Sequence, residues 1–544
     1  MKVSLVFPPN ANATYAPIGL ASLKAYLSTH QPNTVVQLHD LNLRVWEDFS
    51  SANIVLSQAA DFMKGKMGDF YDESQFVKTN VLFNHINQQV LSLVEDAKIF
   101  LKTGALNSGL QRILATYTAD VLAQDPQIIG FSILYQMQLP FALAMARHIR
   151  SQEISGKFPP RIILGGAALS IFDEIELLTA SQDIEALYLG EGEEGLRMLC
   201  SGIDYSQIPG FIYREGDMIR KNKKTTTIGA AMLPCSDFSS LNLSRYFNPQ
   251  PVLPVIFSRG CRWNRCRFCS HNFSYAGYRK KKFTQFAAEL RQYNDLYQTR
   301  HFYIADQYIN AADLRQLGDA ILEQDCSAKF HVMARPSKEY TPEVLEGLYT
   351  AGCRWISWGV ETGSQRLLNL CKKGTEIRTI EENLRDAAKV GISNLAMMIF
   401  GLPTSTDDDL TQTCRFLETI QDDVDAFTSS RFQLFAGTPF AANPGQFGLN
   451  IIGRELFLEI GHRPVHSHCL YFNRSNEKDI GRSYRGTYEV EFWLRRKLWI
   501  KETSFLENMT SEHYLLHVSN RQSSVNQPGF TPPKQPPYPV VKAS

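Results

Sequence analysis

Apolar and polar positions alternate along this chain with two periods, and the order in which the periods change predicts its architecture. Val/Ile/Leu-rich runs predict strands at Val3–Phe7, Val35–Leu41, Ile128–Leu134, Arg161–Gly166 and Ala186–Glu191. Runs of this kind belong to strands buried on both faces. Amphipathic stretches such as Ile18–Leu27 and Phe141–Ile149 fall between them. Strand–helix alternation implies right-handed crossovers and a parallel sheet covered on both sides. Polar helical sequence over 46–123 interrupts the order and reads as an inserted helical cap. Residues 1–205 are thus expected to form a doubly wound, Rossmann-like α/β domain. The charged and small-residue stretch 206–250 is expected to be a connector.

A second alternation occupies 251–440. Its predicted strands are Pro254–Ser258, His301–Asp306, Lys329–Arg335, Trp355–Glu361, Leu395–Gly401 and Phe427–Phe435. Its predicted helices include Thr284–Tyr297, Ala312–Gln324, Pro342–Ala351, Ile377–Val390 and Asp407–Ile420. Six β/α units in this length predict a partial (β/α)6 TIM-type barrel, whose chemistry belongs at the strands' C-terminal ends. The pattern weakens over 441–522, read as a small α/β appendage. Six prolines within 523–544 predict an extended, disordered tail.

Composition narrows the class. Of 544 residues, 44% are hydrophobic and 20% charged, which excludes disorder, collagen or coiled coil as the main plan. The net charge of +1 gives no global reason to expect nucleic acid or an anionic membrane as partner. No apolar run approaches the roughly eighteen residues of a membrane helix. The opening MKVSLVFPPN breaks at Pro8, too early for a signal peptide. The expected location is the cytoplasm.

None of the ten cysteines precedes Cys200, and three crowd together at Cys261, Cys266 and Cys269. A long cytosolic chain needs no disulfide framework, so the cluster reads as metal ligation. Structural zinc wants four protein ligands, and no second pair follows at fingertip spacing; His271 would be an awkward fourth. Three thiolates suit a 4Fe–4S cluster with one iron open to a further ligand.

The loop SRGCRWNRCRFCSHN after the first barrel strand, with Phe268 between the last two cysteines, resembles the radical S-adenosylmethionine (SAM) superfamily. Here four residues, rather than the family's usual three, separate the first two cysteines. YIADQYIN (303–310), WGVETGSQRLLNLCKKG (358–374), FGLPTSTDDD (400–409) and FAGTPF (435–440) strengthen the likeness. It implies that Cys261, Cys266 and Cys269 hold the cluster, whose open iron chelates S-adenosylmethionine; one electron then releases a deoxyadenosyl radical. It further implies that Asp306 meets the methionine amino group, that Arg335 meets the carboxylate, that Glu361 accepts from the ribose, and that Gly401 and Pro403 turn beside adenine. From the residues alone, Arg335 and Glu361 could instead pair as a rim salt bridge, and Asp306 could simply cap a turn.

The N-terminal block resembles the cobalamin-binding domain carried by many radical SAM enzymes. The residues behind this are Ser132 and Leu134 after the third strand, Gly165–Gly166 after the fourth, GEGEEGLRML at 190–199 and PIGLASLKAYL at 17–27. Glycines there permit close backbone approach to a bulky ligand at strand C-termini. The segment FPPNANATYAPIG has no histidine to ligate cobalt, and His39 reads as structural.

Two further segments stand out. Residues 259–300 hold ten Lys or Arg against two acids, including RKKK at 279–282; this is either a solvated face or a balance for anionic groups. GHRPVHSHC at 461–469 packs His462, His466, His468 and Cys469 into a loop-like context, read as plain surface, a substrate-contact loop or a metal site. Taken together, the resemblance implies a cobalamin-dependent radical SAM methyltransferase acting on an unactivated carbon or phosphorus. A small-molecule or peptide substrate and an electron-donor protein would be its partners. A non-methylating cyclase or rearrangement enzyme, and a non-catalytic zinc-binding ligand sensor, are the alternatives.

Overall fold

The computed structural model describes residues 1–152, 159–223, 227–271, 277–474 and 509–525. Its first layer is a sheet of seven strands: β1 (Lys2–Phe7), β2 (Val35–Asp40), β3 (Ile128–Ser132), β4 (Arg161–Gly165), β5 (Ala186–Tyr188), β6 (Phe211–Glu215) and β7 (Met218–Lys221). The order is β2-β1-β3-β4-β5-β6-β7, parallel as far as β5 and antiparallel beyond it. The last two strands lie inside the stretch expected to be a connector. Phe211 and Ile212 bury against the sheet while Glu215 and Met218 meet solvent, so this hairpin is an edge with one wet face. Such an edge carries too weak an apolar signal to read as a strand.

The helical insertion comprises Leu41–Ser50, Ile54–Met63, Glu73–Thr103 and Ser108–Leu122. Each starts where an Asp or Asn side chain caps it: Asp40, Asn53, Asp72 and Asn107 accept from the backbone N–H three residues on. Asp40 therefore begins the insertion at Leu41, five residues ahead of the expected 46. The longest helix stops at Gly104, whose φ of +77° suits glycine at a C-terminus.

The second layer is a six-stranded, all-parallel sheet of β8 (Val252–Val255), β11 (His301–Ile304), β12 (Lys329–Ala334), β13 (Cys353–Glu361), β14 (Ser393–Phe400) and β15 (Ala426–Arg431). In space they run β15-β14-β13-β12-β11-β8. This is the partial α/β barrel expected from the pattern, left open between β15 and β8. A ribbon of β9 (Ser258–Arg259) and β10 (Arg279–Lys280) flanks the cysteine loop.

The appendage consists of β16 (Leu434–Phe435), β17 (Leu449–Ile460) and β18 (Arg463–Arg474), followed by a helix over Ser511–Val525. The loop-like context expected for GHRPVHSHC is corrected: the segment turns into β18. Its histidines act as struts. Asp173 N–H donates to His466 O at 3.0 Å, Ser467 bridges Phe172, and the His466 ring meets Glu176 Oε2 at 2.9 Å. Arg454 of β17 adds ion pairs to Asp173 (2.8 Å) and Glu176 (2.6 Å), which docks the hairpin on the first domain. The Ser511–Val525 helix packs on β11, β12 and β13, with Tyr514 edge-on to Trp355. It reaches three residues into the stretch expected to be tail; the rest of that tail lies outside the described residues. No described helix is long and apolar enough to cross a membrane.

Candidate functional site

Two neighbouring regions gather the residues of interest. The first is the cysteine loop. It leaves β9 through Gly260, where φ is +80° and a Cβ would sit 2.5 Å from Gly277 O, so only glycine fits the entry. The loop is then stitched to the segment after β13. Trp263 Nε1 donates to Lys372 O (2.9 Å), Arg267 N–H to Cys371 O (3.0 Å) and Arg267 Nη1 to Leu370 O (2.9 Å). A Cβ on Gly374 would lie 2.1 Å from the Trp263 ring, so that ring packs directly on backbone. The two motifs SRGCRWNRC and LCKKG thus form one interlocked rim.

Within this rim the three cysteines are partly buried. Burial pushes the Cys266 thiol up to about 11; Cys261, Cys269 and Glu361 push the same way, and Lys373 opposes them. Among the described residues no three His, Cys, Asp or Glu side chains converge on a point suited to a single metal ion.

Glu361 ends β13 with φ +68°, just past a break in register with β14. A non-glycine residue held there stores strain of the kind found at functional sites. Its carboxylate does not pair with Arg335. It accepts from Lys373 Nζ at 2.6 Å, with both side chains about nine-tenths buried. Burial pulls the Lys373 ammonium down, yet Glu361 and Cys266 outweigh it and hold it above its ordinary value. Lys373 therefore places a fixed positive charge beside the thiols. Arg335 lies over the Trp263 ring at 4.2 Å and donates to Gly374 O at 2.5 Å, leaving Nε buried and unpartnered. Phe268 packs with Leu402, Leu367 and Phe440. Gly401, at φ +74°, turns the chain before buried Pro403.

Asp306 sits apart from this group. Its oxygens accept from Phe257 N (2.9 Å), Ser258 N (2.6 Å) and the Ser258 hydroxyl. Burial pushes its carboxyl up to about 7 against those bonds. Asp306 thus pins the strand that launches the cysteine loop. The basic run likewise finds internal partners. Arg259 pairs with Glu191 (3.0 Å) and Glu193, Arg279 with Glu191, Lys280 with Asp313 (2.6 Å) and Lys281 with Glu289. The solvated-face reading is corrected: Glu191 and Glu193 reach across from the first domain, in the GEGEEGLRML segment.

The second region is a cavity of about 470 Å³ between the two domains. Ser132, Leu134, Gly165 and Gly166 all line it, at the C-terminal ends of β3 and β4, where open α/β sheets bind ligands. At Gly166 φ is +107° and a Cβ would lie 2.4 Å from Ile133 O; at Gly165 a Cβ would meet nothing within 4 Å and would project into free space. Both glycines keep this wall thin. Pro254, Ser258, Arg259, Tyr303 and Gln307 close the cavity from the barrel side, and Ser511 and Glu512 from the last helix. Sequence reasoning missed Lys373, Gln307 and Glu512. Lys373 and Gln307 stood in quoted motifs without a role, and Glu512 lay in a segment with no recognised motif.

A doubly wound domain and an open barrel sharing one cavity, with three cysteines at the barrel's rim, define the class. Residues 255–417 match the radical SAM superfamily. That segment is a radical SAM domain, and the chain is an enzyme. An uncharacterized methyltransferase of Pyrococcus horikoshii is 23% identical over 353 residues, 63% of this chain and 74% of that protein. The anaerobic magnesium-protoporphyrin IX monomethyl ester cyclase of Synechocystis is 22% identical over 275 residues, and this chain spans about half (54%) of its length. Two solved folds are similar. One is the radical SAM methyltransferase TsrM from Kitasatospora setae, with cobalamin and a [4Fe–4S] cluster bound (TM-score 0.55, 17% identity, 83% of this chain and 80% of that one). The other is the cobalamin-dependent radical SAM enzyme OxsB (TM-score 0.62, 16% identity, 96% and 71%).

Proposed function

We propose that this chain is a cobalamin-dependent radical SAM methyltransferase acting on an unactivated carbon or phosphorus of a small-molecule or peptide substrate. The observation that carries the reading is the single cavity walled by Ser132, Gly165 and Gly166 on one side and by the strand ends of the barrel on the other. Cys261, Cys266 and Cys269 would hold the iron–sulfur cluster, with Lys373 compensating their charge. Arg335 and Glu361 stand on the same rim, ready to orient S-adenosylmethionine. Gly165 and Gly166 admit the bulk of cobalamin against bare backbone. When bound, these groups supply the electron, the radical and the methyl group; the protein orients them and excludes water. No histidine is among the described residues that line the cavity. An electron-donor protein belongs to the same proposal.

Anaerobic turnover with candidate substrates tests it. Deoxyadenosine together with S-adenosylhomocysteine is the expected pair of products. Deoxyadenosine alone overturns methyl transfer and favours the second reading, a cyclase or rearrangement enzyme, which the similarity to the Synechocystis cyclase supports.

A further inference from the structure

The interdomain cavity is mostly apolar, and one carboxyl stands in its wall with no counter-ion among the described residues. Glu512, in the first turn of the Ser511–Val525 helix, is 5% exposed and lines the cavity. Its Oε2 accepts from Thr14 Oγ1 at 2.7 Å. Burial pushes this carboxyl above its ordinary range, and only Thr14, its own backbone and Thr510 act against that. Among the described lining residues the one basic side chain is Arg259, already committed to Glu191 and Glu193.

The surroundings of Glu512 are aromatic. Tyr15, Tyr135 and Tyr303 line the same cavity, and all three feel the Glu512 charge. Tyr15 and Tyr135 share a hydrogen bond of 2.9 Å between their hydroxyls. Gln307 Oε1, also in the lining residue set, is buried with no hydrogen-bond partner. A buried carboxylate without a cation is costly unless a ligand brings the charge. Ring faces attract cations, and a bare carbonyl oxygen wants an N–H donor. Carboxylate, rings and carbonyl therefore call for the same guest.

We propose that Glu512, Gln307 and the rings of Tyr15, Tyr135 and Tyr303 form a subsite for an ammonium group of the substrate. The inference rests on the cavity being the reaction chamber, as in the function proposed above, and deepens it by naming a substrate class: amines. A nitrogen donor could also come from a carboxamide at the edge of the corrin ring, and the experiment separates the two sources.

Full-length anaerobic protein is titrated calorimetrically with benzylamine and with benzyl alcohol, with and without hydroxocobalamin. Benzylamine should bind about tenfold or more tightly than the alcohol, the worth of a charged hydrogen bond. Glu512→Gln should erase that preference. Should Glu512→Gln fail to fold by circular dichroism, Tyr135→Leu decides. Tyr135 is 46% exposed and tolerant of change, and losing its ring should weaken benzylamine about threefold while sparing the alcohol. Equal affinities for amine and alcohol in the unmodified protein overturn the proposal. So does loss of hydroxocobalamin affinity in Glu512→Gln combined with loss of benzylamine binding whenever hydroxocobalamin is present, which assigns the carboxyl to the corrin. An amine preference that persists in protein unable to make deoxyadenosine supports the subsite and sinks the catalytic reading instead.

Discussion

At the barrel rim, Cys266 and Glu361 flank Lys373, whose ammonium lies 2.6 Å from the carboxylate. In the interdomain cavity, Glu512 has a threonine hydroxyl at 2.7 Å and no cation among the described residues. Both carboxylates are buried, yet only the first has its charge answered by the fold. The rim is built for a permanent anionic guest and comes with its compensation installed. The cavity keeps its need for positive charge open, as a place that exchanges ligands must. The walls differ in the same sense: the rim is sewn shut by hydrogen bonds to 370–374, while the cavity is kept wide by glycines.

The contrast can be broken most severely at the rim. Lys373→Met leaves Glu361 buried without its cation and should cost about 3–5 kcal/mol in urea unfolding. Lys373→Arg should recover part of that. An unchanged midpoint in Lys373→Met would show that the pair is not desolvated.

The cavity end should instead be the part that acid loosens. His513, buried against Phe70 and Phe76, donates through Nε2 to Phe247 O at 2.7 Å. Burial holds its ring down to about 4, and that of His517 to about 3. Both stay neutral in the fold, so as pH falls below about 6.5 the unfolded chain takes up protons that the native helix refuses. Stability then drops by up to about 1.4 kcal/mol per pH unit for each histidine until the folded pKa is reached. Raised carboxyls such as Asp306 and Glu512 bias the slope the other way, so the diagnostic is a difference. His513→Asn should flatten stability against pH between 4 and 6.5 relative to the unmodified chain, and parallel curves would remove this histidine from the account.

Gly166→Ala strikes the cavity wall. The added Cβ would lie 2.4 Å from Ile133 O at a φ of +107°, costing about 1–3 kcal/mol of backbone strain. Thermal melting reads the strain, and the same variant should retain less cobalamin. The smallest effect belongs to Arg454→Ala. Its partly exposed pairs with Asp173 and Glu176 are worth about 0–1 kcal/mol. A larger loss on melting would mean that the hairpin braces the first domain rather than resting on it.

How much of this was legible beforehand follows from what each feature depends on. The parallel parts of both sheets were readable because their central strands are apolar on both faces, and Asp407–Ile420 matches its expected span because a Thr406 capping box starts it. The thiols were readable from local spacing, and the four first-domain residues that meet at the cavity from the resemblance to a cobalamin-binding domain. Lys373 was not, because its role comes from a fold-back that brings 373 to 361 and 266. The β6–β7 hairpin hid behind a wet face. His466 and His468 looked like ligands because their acidic partners lie some 290 residues away in sequence. Glu512 depends on Thr14 at a separation of 498 residues, beyond anything a local pattern encodes.

That last separation also orders events during synthesis. The first domain and the barrel strands leave the ribosome well before Ser511, the residue that begins the final wall of the chamber. Until the terminal helix arrives, Thr14, Tyr303 and Gln307 face an unfinished recess. The chamber's wall is therefore complete only once the terminal helix has docked on the barrel strands.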